Sequence, residues 1–168
     1  MPLDPHALRL AMRNWVAGVT VVTTIYHGAR AGMTVSSFTS VSLEPPMVLV
    51  CLNKETYTQQ LVSESGRFAI SMLAQDQAAI SNRFAGLDPT VVTQEDRFTG
   101  LAMVKAETGC PLIAGAVAWL DCLVSAAHEA GTHTLFIGEV VYARSDPARQ
   151  PLVYFNRKYQ LMTPMETP

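Results

Sequence analysis

Short runs of β-branched and alternating hydrophobic residues dominate the chain and predict a mainly β protein. The runs indicate strands at 19–26, 33–38, 47–52, 68–73, 103–107, 117–127, 134–142 and 152–155. A turn at 27–30 joins the first two strands as a hairpin, and a connection containing Gly131 joins the long pair 117–127 and 134–142. Because the pattern has no strand–helix–strand rhythm, we expect an antiparallel β-barrel with short peripheral helices.

Three segments carry helix signals. Asp4 and Pro5 suit the N-cap and the first helical position, and the helix that they open has an apolar face made by Leu8, Ala11, Met12 and Trp15. Residues 56–65 form a second predicted helix, which Gly66 ends, and residues 76–84 form a third. The polar segment 87–99 contains a proline and has no clean period, so it is predicted to be a surface loop.

Composition fits one domain spanning residues 1–168. The chain is 49% hydrophobic, which is enough for a sizeable core, and its net charge of −2 comes with no basic stripe that would indicate nucleic-acid binding. The longest apolar run, 114–120, is too short to cross a membrane, and no secretory signal pattern opens the chain. Three cysteines without metal-ligand spacing predict free thiols, and together these features predict a cytoplasmic protein.

Several common catalytic motifs are absent from the sequence. There is no GxGxxG between a strand and a helix and no P-loop, which disfavours a Rossmann dinucleotide site and P-loop phosphotransfer. The four histidines are scattered, with no HxxxH or HExxH, so no metal site is predicted. A GxSxG nucleophile elbow is also missing, and hydrolase chemistry is therefore not indicated.

The strongest candidate site lies between residues 31 and 58. A predicted strand ends in the hydroxyl-rich segment 33–40, and the next strand, 47–52, runs into Asn53, Lys54 and Thr58. Free backbone groups at strand ends, together with these hydroxyls and one cation, suit a ring system that carries a phosphate, such as a flavin. The same pattern also fits a loop that caps itself through side-chain-to-backbone hydrogen bonds.

Two further clusters have both a functional and a structural interpretation. Arg83 and Phe84, within the sequence SNRFA at 81–85, suit a contact with a phosphate and a ring, or else a solvated arginine beside a core phenylalanine. His133, at a turn before an apolar strand, suits contact with a nicotinamide nucleotide or proton donation, or else an ordinary surface histidine.

Taken together and in order, these stretches resemble the flavin reductase-like family. The matching segments are GMTVSSFTSVSLEPPMVLVCLNKETYT, FAISML, SNRFA, DRFTG, GCPLIAGAVAWLDC, GTHTLFIGEV and PLVYFNRKY, which cover nearly the whole chain. The resemblance implies an FMN-binding split barrel, usually a homodimer with flavin near the subunit interface. It also implies hydride transfer from NADH or NADPH to FMN or FAD, with reduced flavin passing to a separate monooxygenase or halogenase.

The resemblance also implies specific flavin contacts, at two neighbouring strand ends and at a helix end. The implied flavin-binding residues are Met33, Thr34, Val35, Ser36, Ser37, Phe38, Thr39, Cys51, Leu52, Asn53, Lys54, Thr58, Ser81, Arg83, Phe84 and Ala85. Among them, Ser37 and Thr58 are expected near the phosphate and residues 51–54 near the pyrimidine end of the ring.

Two more residues are implied on the nicotinamide side. His133 matches a histidine that the family associates with pyridine nucleotide and hydride transfer, and it is the implied catalytic residue. Tyr159 aligns with a tyrosine near the nicotinamide stack. The chain departs from the family pattern at Thr132, where an acidic residue is common, and at Glu55, where a small residue is frequent. The alternatives are a flavin-storing barrel without turnover and an oxidase resembling the pyridoxamine-phosphate oxidases.

Overall fold

Strands make up most of the regular structure. The computed structural model describes residues 3–163, so residues 1–2 and 164–168 of the predicted domain 1–168 lie outside the described residues. The helices are α1 (Pro5–Met12), α2 (Tyr57–Ser65) and α3 (Ala78–Phe84), with a 3-10 helix at Glu95–Phe98. The strands are β1 (Ala17–Gly18), β2 (Thr20–Tyr26), β3 (Ala29–Val35), β4 (Phe38–Leu43), β5 (Pro46–Asn53), β6 (Arg67–Met72), β7 (Met103–Lys105), β8 (Pro111–Ile113), β9 (Ala118–Ala130), β10 (His133–Ser145), β11 (Val153–Phe155) and β12 (Lys158–Gln160).

Within residues 3–163, seven strands form the main sheet, in the order β3-β2-β6-β9-β10-β5-β4, and every neighbouring pair is antiparallel. β3 and β5 stand apart in that order yet contact each other, so the sheet curls into a barrel. β1, β11 and β12 form a smaller sheet, and β7 pairs with β8. The predicted mainly β, antiparallel barrel with peripheral helices is confirmed.

Alternating side chains fill the interior of the barrel. In β5 every second residue is buried, which places Val48, Val50 and Leu52 inside. Phe68 of β6 lies over Gly138 of β10, where a Cβ atom would come within 2.5 Å of the Phe68 Cζ atom. The missing side chain at Gly138 therefore makes room for a large aromatic ring in the core.

The hairpin between β2 and β3 is tighter than predicted. His27 and Gly28 alone form the turn, with φ angles of 47° and 84°, the left-handed conformations that two-residue hairpin turns require. β3 then ends at Val35, and Phe38 begins β4, a strand that the predicted run 33–38 did not separate. Since β4 lies at the edge of the sheet and is mostly exposed, its hydroxyl-rich sequence lacks the alternation of a half-buried strand.

The prediction that residues 87–99 form only a surface loop is wrong at its end. Residues 95–98 form the 3-10 helix, and Phe98 is buried with its ring edge-on to Phe84 at a centroid distance of 5.1 Å. One apolar residue in a polar segment has no period that a sequence pattern can detect. The short strands β8 and β12 were also not predicted.

The helices begin close to their predicted starts. The Asp4 side chain caps α1 by accepting a hydrogen bond from the His6 N–H at 2.9 Å, but α1 ends at Met12, so Trp15 lies beyond it. Thr56 caps α2, and Gly66, with a φ of 65°, ends it. None of the helices described between residues 3 and 163 has the length and hydropathy that a membrane span requires.

The three cysteines are free thiols, and burial raises the pKa of each one, that of Cys122 to about 12. An unfolded thiol ionises near its ordinary value of 9.0, whereas folded Cys122 keeps its proton. Stability is therefore expected to be complete below pH 9 and to fall as the pH rises from 9 toward 12, by about 1.4 kcal/mol per pH unit for each proton released. Urea unfolding at pH 8 to 10.5 measures this slope. Cys122→Ala should reduce it, and an unchanged slope would contradict the assignment.

Candidate functional site

A groove runs between β3, α3, the start of α2 and the β11–β12 hairpin. It consists of two adjoining cavities that share Thr34 and Ala85. The larger, here called the arginine cavity, has a volume of about 340 Å³ and is lined by Met33, Thr34, Thr56, Tyr57, Thr58, Phe84, Ala85, Gln94 and Arg97. The smaller, here called the tyrosine cavity, has a volume of about 180 Å³ and is lined by Val19, Thr34, Ser36, Ser81, Ala85, Leu87, Tyr154 and Tyr159.

The wall between β3 and α3 depends on Gly32. A Cβ atom at this position would lie 2.8 Å from the Phe84 Cε1 atom, so the glycine lets Phe84 pack directly on β3. The Thr34 hydroxyl then donates a hydrogen bond of 2.6 Å to the Ser81 carbonyl of α3. These contacts fix the two elements against each other where the cavities meet.

Tyr159 forms part of the wall of the tyrosine cavity. Its hydroxyl oxygen lies 2.7 Å from the Asn82 Oδ1 atom and 2.9 Å from the Ser81 Oγ atom. One O–H cannot donate to both, so Tyr159 donates to Asn82 and accepts from Ser81. The Tyr154 ring stands edge-on to Tyr159 at a centroid distance of 5.7 Å, which gives the cavity an aromatic side.

Gln94 and Arg97 line the arginine cavity, and the sequence pattern did not single them out. The Arg97 Nη1 atom donates hydrogen bonds of 2.8 Å to the Gly32 carbonyl and 2.9 Å to the Phe84 carbonyl. The Gln94 Oε1 atom accepts a hydrogen bond from the Gly32 N–H at 3.3 Å. Both residues belong to the segment predicted as a plain loop; the only sequence signal there was the stretch DRFTG in the family resemblance.

Thr58 supplies a second unusual group in the arginine cavity. The residue is fully buried, and its Oγ1 atom has no hydrogen-bond partner among the residues that the structure describes. The Thr56 side chain accepts a hydrogen bond from the Gln59 N–H at 3.3 Å. The N–H groups of Tyr57 and Thr58 lie in the first turn of α2 and therefore have no intrahelical acceptor. A buried hydroxyl of this kind normally has a partner, so the cavity is suited to a polar ligand.

The structure brings eight of the predicted site residues together along the groove and leaves the others outside its lining. Those in the groove are Met33, Thr34, Ser36, Thr58, Ser81, Phe84, Ala85 and Tyr159. The side chains of Val35 and Leu52 lie in the barrel interior, and Phe38 lines a different cavity near Trp15. The predicted residues Ser37, Thr39, Cys51, Asn53, Lys54, Arg83 and His133 line neither cavity.

The two predicted strand ends do lie side by side. The Cys51 N–H donates to the Ser37 carbonyl at 3.1 Å, and the Ser37 hydroxyl donates to the Cys51 carbonyl at 2.9 Å. Ser37 therefore bonds to β5 through both its carbonyl and its hydroxyl. Part of the segment 33–40 is capped in this way, as the alternative interpretation, a loop with side-chain-to-backbone hydrogen bonds, predicts. Arg83 similarly makes a structural contact, an Nη1 bond of 2.8 Å to the Thr99 carbonyl.

Lys54 and His133 lie together at another end of the sheet. The Lys54 Nζ atom is 2.7 Å from the Glu129 Oε2 atom, and this contact lowers the pKa of the Glu129 carboxyl. His133 is exposed, pairs with Asn53 across β10 and β5, and has its Nδ1 atom 2.9 Å from the Thr132 hydroxyl. Both side chains are accessible, and neither lines a cavity of the groove.

The groove combines an aromatic side, several neutral hydroxyls and one guanidinium. Burial lowers the pKa of Arg97, but arginine remains a cation at neutral pH. Within residues 3–163, no group of three or more histidine, cysteine and acidic side chains gathers as metal ligands do. This donor set fits a flat aromatic ligand with an anionic tail, since a ring needs apolar and aromatic walls and a tail needs charge and hydroxyl donors.

Comparison with known proteins gives a consistent result. The family model described as "Flavin reductase like domain" matches residues 12–163. The chain is 33% identical over 167 residues to the reductase subunit HsaB of a flavin-dependent monooxygenase from Mycobacterium tuberculosis, covering 98% of this chain and 86% of the relative. It is 39% identical to an NADH-dependent FAD reductase from Streptomyces globisporus, covering 97% of this chain and 88% of the relative.

A solved structure agrees over nearly the full length of both chains. BorF, the flavin reductase component of a bacterial two-component tryptophan halogenase, superposes with a TM-score of 0.84 at 33% sequence identity. The match covers 94% of this chain and 97% of BorF.

Proposed function

Because the chain belongs to the flavin reductase-like family, we propose that it reduces FMN or FAD with NADH or NADPH and supplies reduced flavin to a separate monooxygenase or halogenase. The observation that supports this most directly is the groove, which has the aromatic, hydroxyl and cationic groups that a flavin requires. Seven residues assigned to flavin from sequence line it, together with Tyr159 from the nicotinamide side, although they come from segments far apart in the chain.

The role of the protein in this reaction is mainly to position two rings. A bound flavin supplies the ring that accepts hydride from the nicotinamide. Thr34, held by Ser81, and Tyr159, held by Asn82, keep the groove walls at a fixed separation. Holding reactants at a fixed distance and orientation lowers the barrier without a titrating group, so the absence of an acid–base pair in the groove lining agrees with the proposal.

The hydrogen-bond donors that line the groove also suit a ligand that has to dissociate after it is reduced. Apart from Arg97, the polar side chains of the lining are neutral hydroxyls and an amide. Neutral hydrogen bonds contribute about 1 kcal/mol each, less than charged ones. A flavin held in this way dissociates without the breaking of a covalent link, which a diffusible product requires.

The direct test mixes purified protein with FMN or FAD and with NADH or NADPH, and follows the loss of nicotinamide absorbance. At least one of the four pairs should be oxidised catalytically, and the preferred pair then defines the cofactor specificity. A protein that binds flavin tightly but leaves all four pairs unreacted would instead be a flavin-storing barrel. The same assay with flavin no more concentrated than the enzyme would show whether the protein reduces the flavin that it holds bound or only flavin that is free in solution.

We propose that His133 contacts the nicotinamide nucleotide from outside the groove. Its exposure leaves the imidazole free to bind a ligand, and its position in the sequence motif GTHT supports the assignment. His133→Ala should raise the KM for the nicotinamide nucleotide about tenfold, the loss of roughly one hydrogen bond, with flavin affinity unchanged. His128→Ala, an exposed histidine on β9, is the control and should leave both constants unaltered. Equal kinetics for the two variants would exclude this role.

We further propose a homodimer and a cytoplasmic location. α1 has no buried residue, and its Leu8 and Met12 side chains are each 54% exposed. Apolar side chains presented on one helix in this way are typical of a surface that pairs with a second copy. Light scattering should give twice the mass of one chain, and a monomer at micromolar concentration would contradict the proposal.

A further inference from the structure

We propose that Asn82 is a positioning residue of the groove. Through the Tyr159 hydroxyl it holds the β11–β12 hairpin, residues 153–160, against α3, and it thereby sets the rate at which flavin enters and leaves. The inference rests on the proposed function, because flavin is the ligand whose exchange is limited. Asn82 lines neither cavity, so its effect on a ligand has to pass through Tyr159.

The β11–β12 hairpin is anchored in the barrel at its base. Leu152, directly before β11, is 2% exposed; its N–H donates to the Leu73 carbonyl at 2.8 Å, and its carbonyl accepts from the Val19 N–H at 3.0 Å. Further out, β11 pairs with the two-residue strand β1, and the Asn156 N–H at the turn donates to the Arg13 carbonyl at 3.1 Å. Arg13 ends α1, a helix without a buried residue, so the base is fixed in the core whereas the turn is bonded only to a surface helix.

The outer strand of the hairpin, β12, depends on Tyr159 for its attachment. β12 pairs with β11 alone, and its hydrogen bonds outside the hairpin, within residues 3–163, are the two of the Tyr159 hydroxyl to Asn82 and Ser81. The Tyr159 ring also packs against the core cluster that contains Val19 and Phe84. Since a neutral hydrogen bond shifts an equilibrium about 3- to 10-fold, the bond to Asn82 controls how often β12 leaves α3.

The hairpin forms a wall of only one of the two cavities. Tyr154 and Tyr159 line the tyrosine cavity, and no residue of the hairpin lines the arginine cavity. Movement of β12 away from α3 therefore opens the tyrosine cavity and leaves the arginine cavity intact. Reduced flavin has to leave the groove after each turnover, and product release through a mobile element of this kind limits the rate of many enzymes.

Loss of the bond between Tyr159 and Asn82 predicts a specific kinetic pattern. When a ligand enters and leaves only through the open form, a larger open fraction raises the association and dissociation rate constants by the same factor. The dissociation constant is the ratio of the two, so it stays the same while the closed form still predominates. Loss of a residue that contacts flavin directly has a different effect, because dissociation becomes faster and the affinity falls with it.

The experiment measures the association and dissociation rate constants of FMN by stopped-flow fluorescence. Asn82→Ala should raise both constants about 3- to 10-fold and keep the dissociation constant within about twofold of the wild type. A double variant that also carries Tyr159→Phe should match Tyr159→Phe alone, because both changes remove the same hydrogen bond. Gln60→Ala is the matched control, since the exposed Gln60 amide bonds to Glu64 on α2 and lines neither cavity, and it should leave both constants unchanged.

A second readout needs no flavin. Opening of the hairpin parts β11 from β1 and the Asn156 N–H from its acceptor on Arg13, so these amides exchange their hydrogens from the open form. In the protein alone, hydrogen exchange over residues 153–160 should be about 3- to 10-fold faster in Asn82→Ala than in the wild type. Exchange in β9 and β10, which belong to the main sheet, should be unchanged.

Tyr159→Phe keeps the ring on the core and tests the same hydrogen bond if Asn82→Ala unfolds. Unchanged rate constants, or faster dissociation with an equal loss of affinity in Asn82→Ala, would overturn the role of Asn82. If the hairpin exchanges faster and FMN binds and leaves faster but no nicotinamide is oxidised, only the proposed function fails. If nicotinamide is oxidised while hairpin exchange and FMN rates are unaltered in both variants, only the role of Asn82 fails.

Discussion

Ala85→Trp is expected to abolish most flavin binding without unfolding the protein. Ala85 lines both cavities of the groove and is itself exposed at the end of α3, so an indole at this position fills ligand space rather than core space. The indole would occupy the space that the flavin ring needs. We expect this overfilling to cost about 3 kcal/mol of the free energy of flavin binding, which corresponds to a loss of affinity of about 100-fold. Flavin fluorescence titration measures the affinity, and circular dichroism measures the fold.

Ala79→Trp is the matched control for this prediction. Ala79 is exposed on the same short helix but lines neither cavity. The control should bind flavin as the wild type does and melt at the same temperature. If Ala85→Trp also bound flavin normally, the groove would not be the flavin site, and the proposed function would then need another location on the molecule.

Gly138→Ala is expected to lower the free energy of unfolding by about 3 kcal/mol, the upper part of the range for an overpacked core. The new Cβ atom would lie 2.5 Å from the Phe68 Cζ atom and 2.9 Å from the Cys122 Cβ atom, both in buried residues, one on β6 and the other on the neighbouring strand β9. The Phe68 ring can move only by displacing other core side chains, and the Cys122 Cβ atom moves only with its backbone.

Urea unfolding measures this loss, with Gly18→Ala as the control. A Cβ atom at Gly18 meets nothing within 4 Å, so that variant should stay within about 0.5 kcal/mol of the wild type. If Gly138→Ala lost much less than 3 kcal/mol of unfolding free energy, the core side chains would have to rearrange more easily than close packing implies.

The long strands were predictable because buried and less buried positions alternate over much of their length. β9 and β10 each span 13 residues, and β10 has a sheet neighbour on both sides, so alternation persists long enough to read. Helix starts were predictable for a different reason, since the caps at Asp4 and Thr56 are local and depend on the sequence alone. The tight turn begins at His27, as predicted, but it ends two positions earlier than the predicted turn 27–30 because β3 starts at Ala29.

The groove was only partly predictable. Residues such as Thr34, Thr58 and Ala85 were assigned through the family resemblance, and the structure brings them to one place. Arg97 was indicated only by the stretch DRFTG of the family resemblance and by no pattern of its own, because its contacts are with Gly32, 65 positions earlier in the chain, and with a carbonyl of α3. Contacts that join a polar segment to backbone atoms so distant leave no periodic trace in the sequence.

The link between Tyr159 and Asn82 has a consequence for shortened chains. The seven strands of the main sheet are complete at Ser145, so a chain that ended after this residue would keep every strand of the barrel. It would lack Tyr159 and with it the hydroxyl that bonds to Asn82 of α3. Such a chain would therefore be a barrel that lacks one side of its groove.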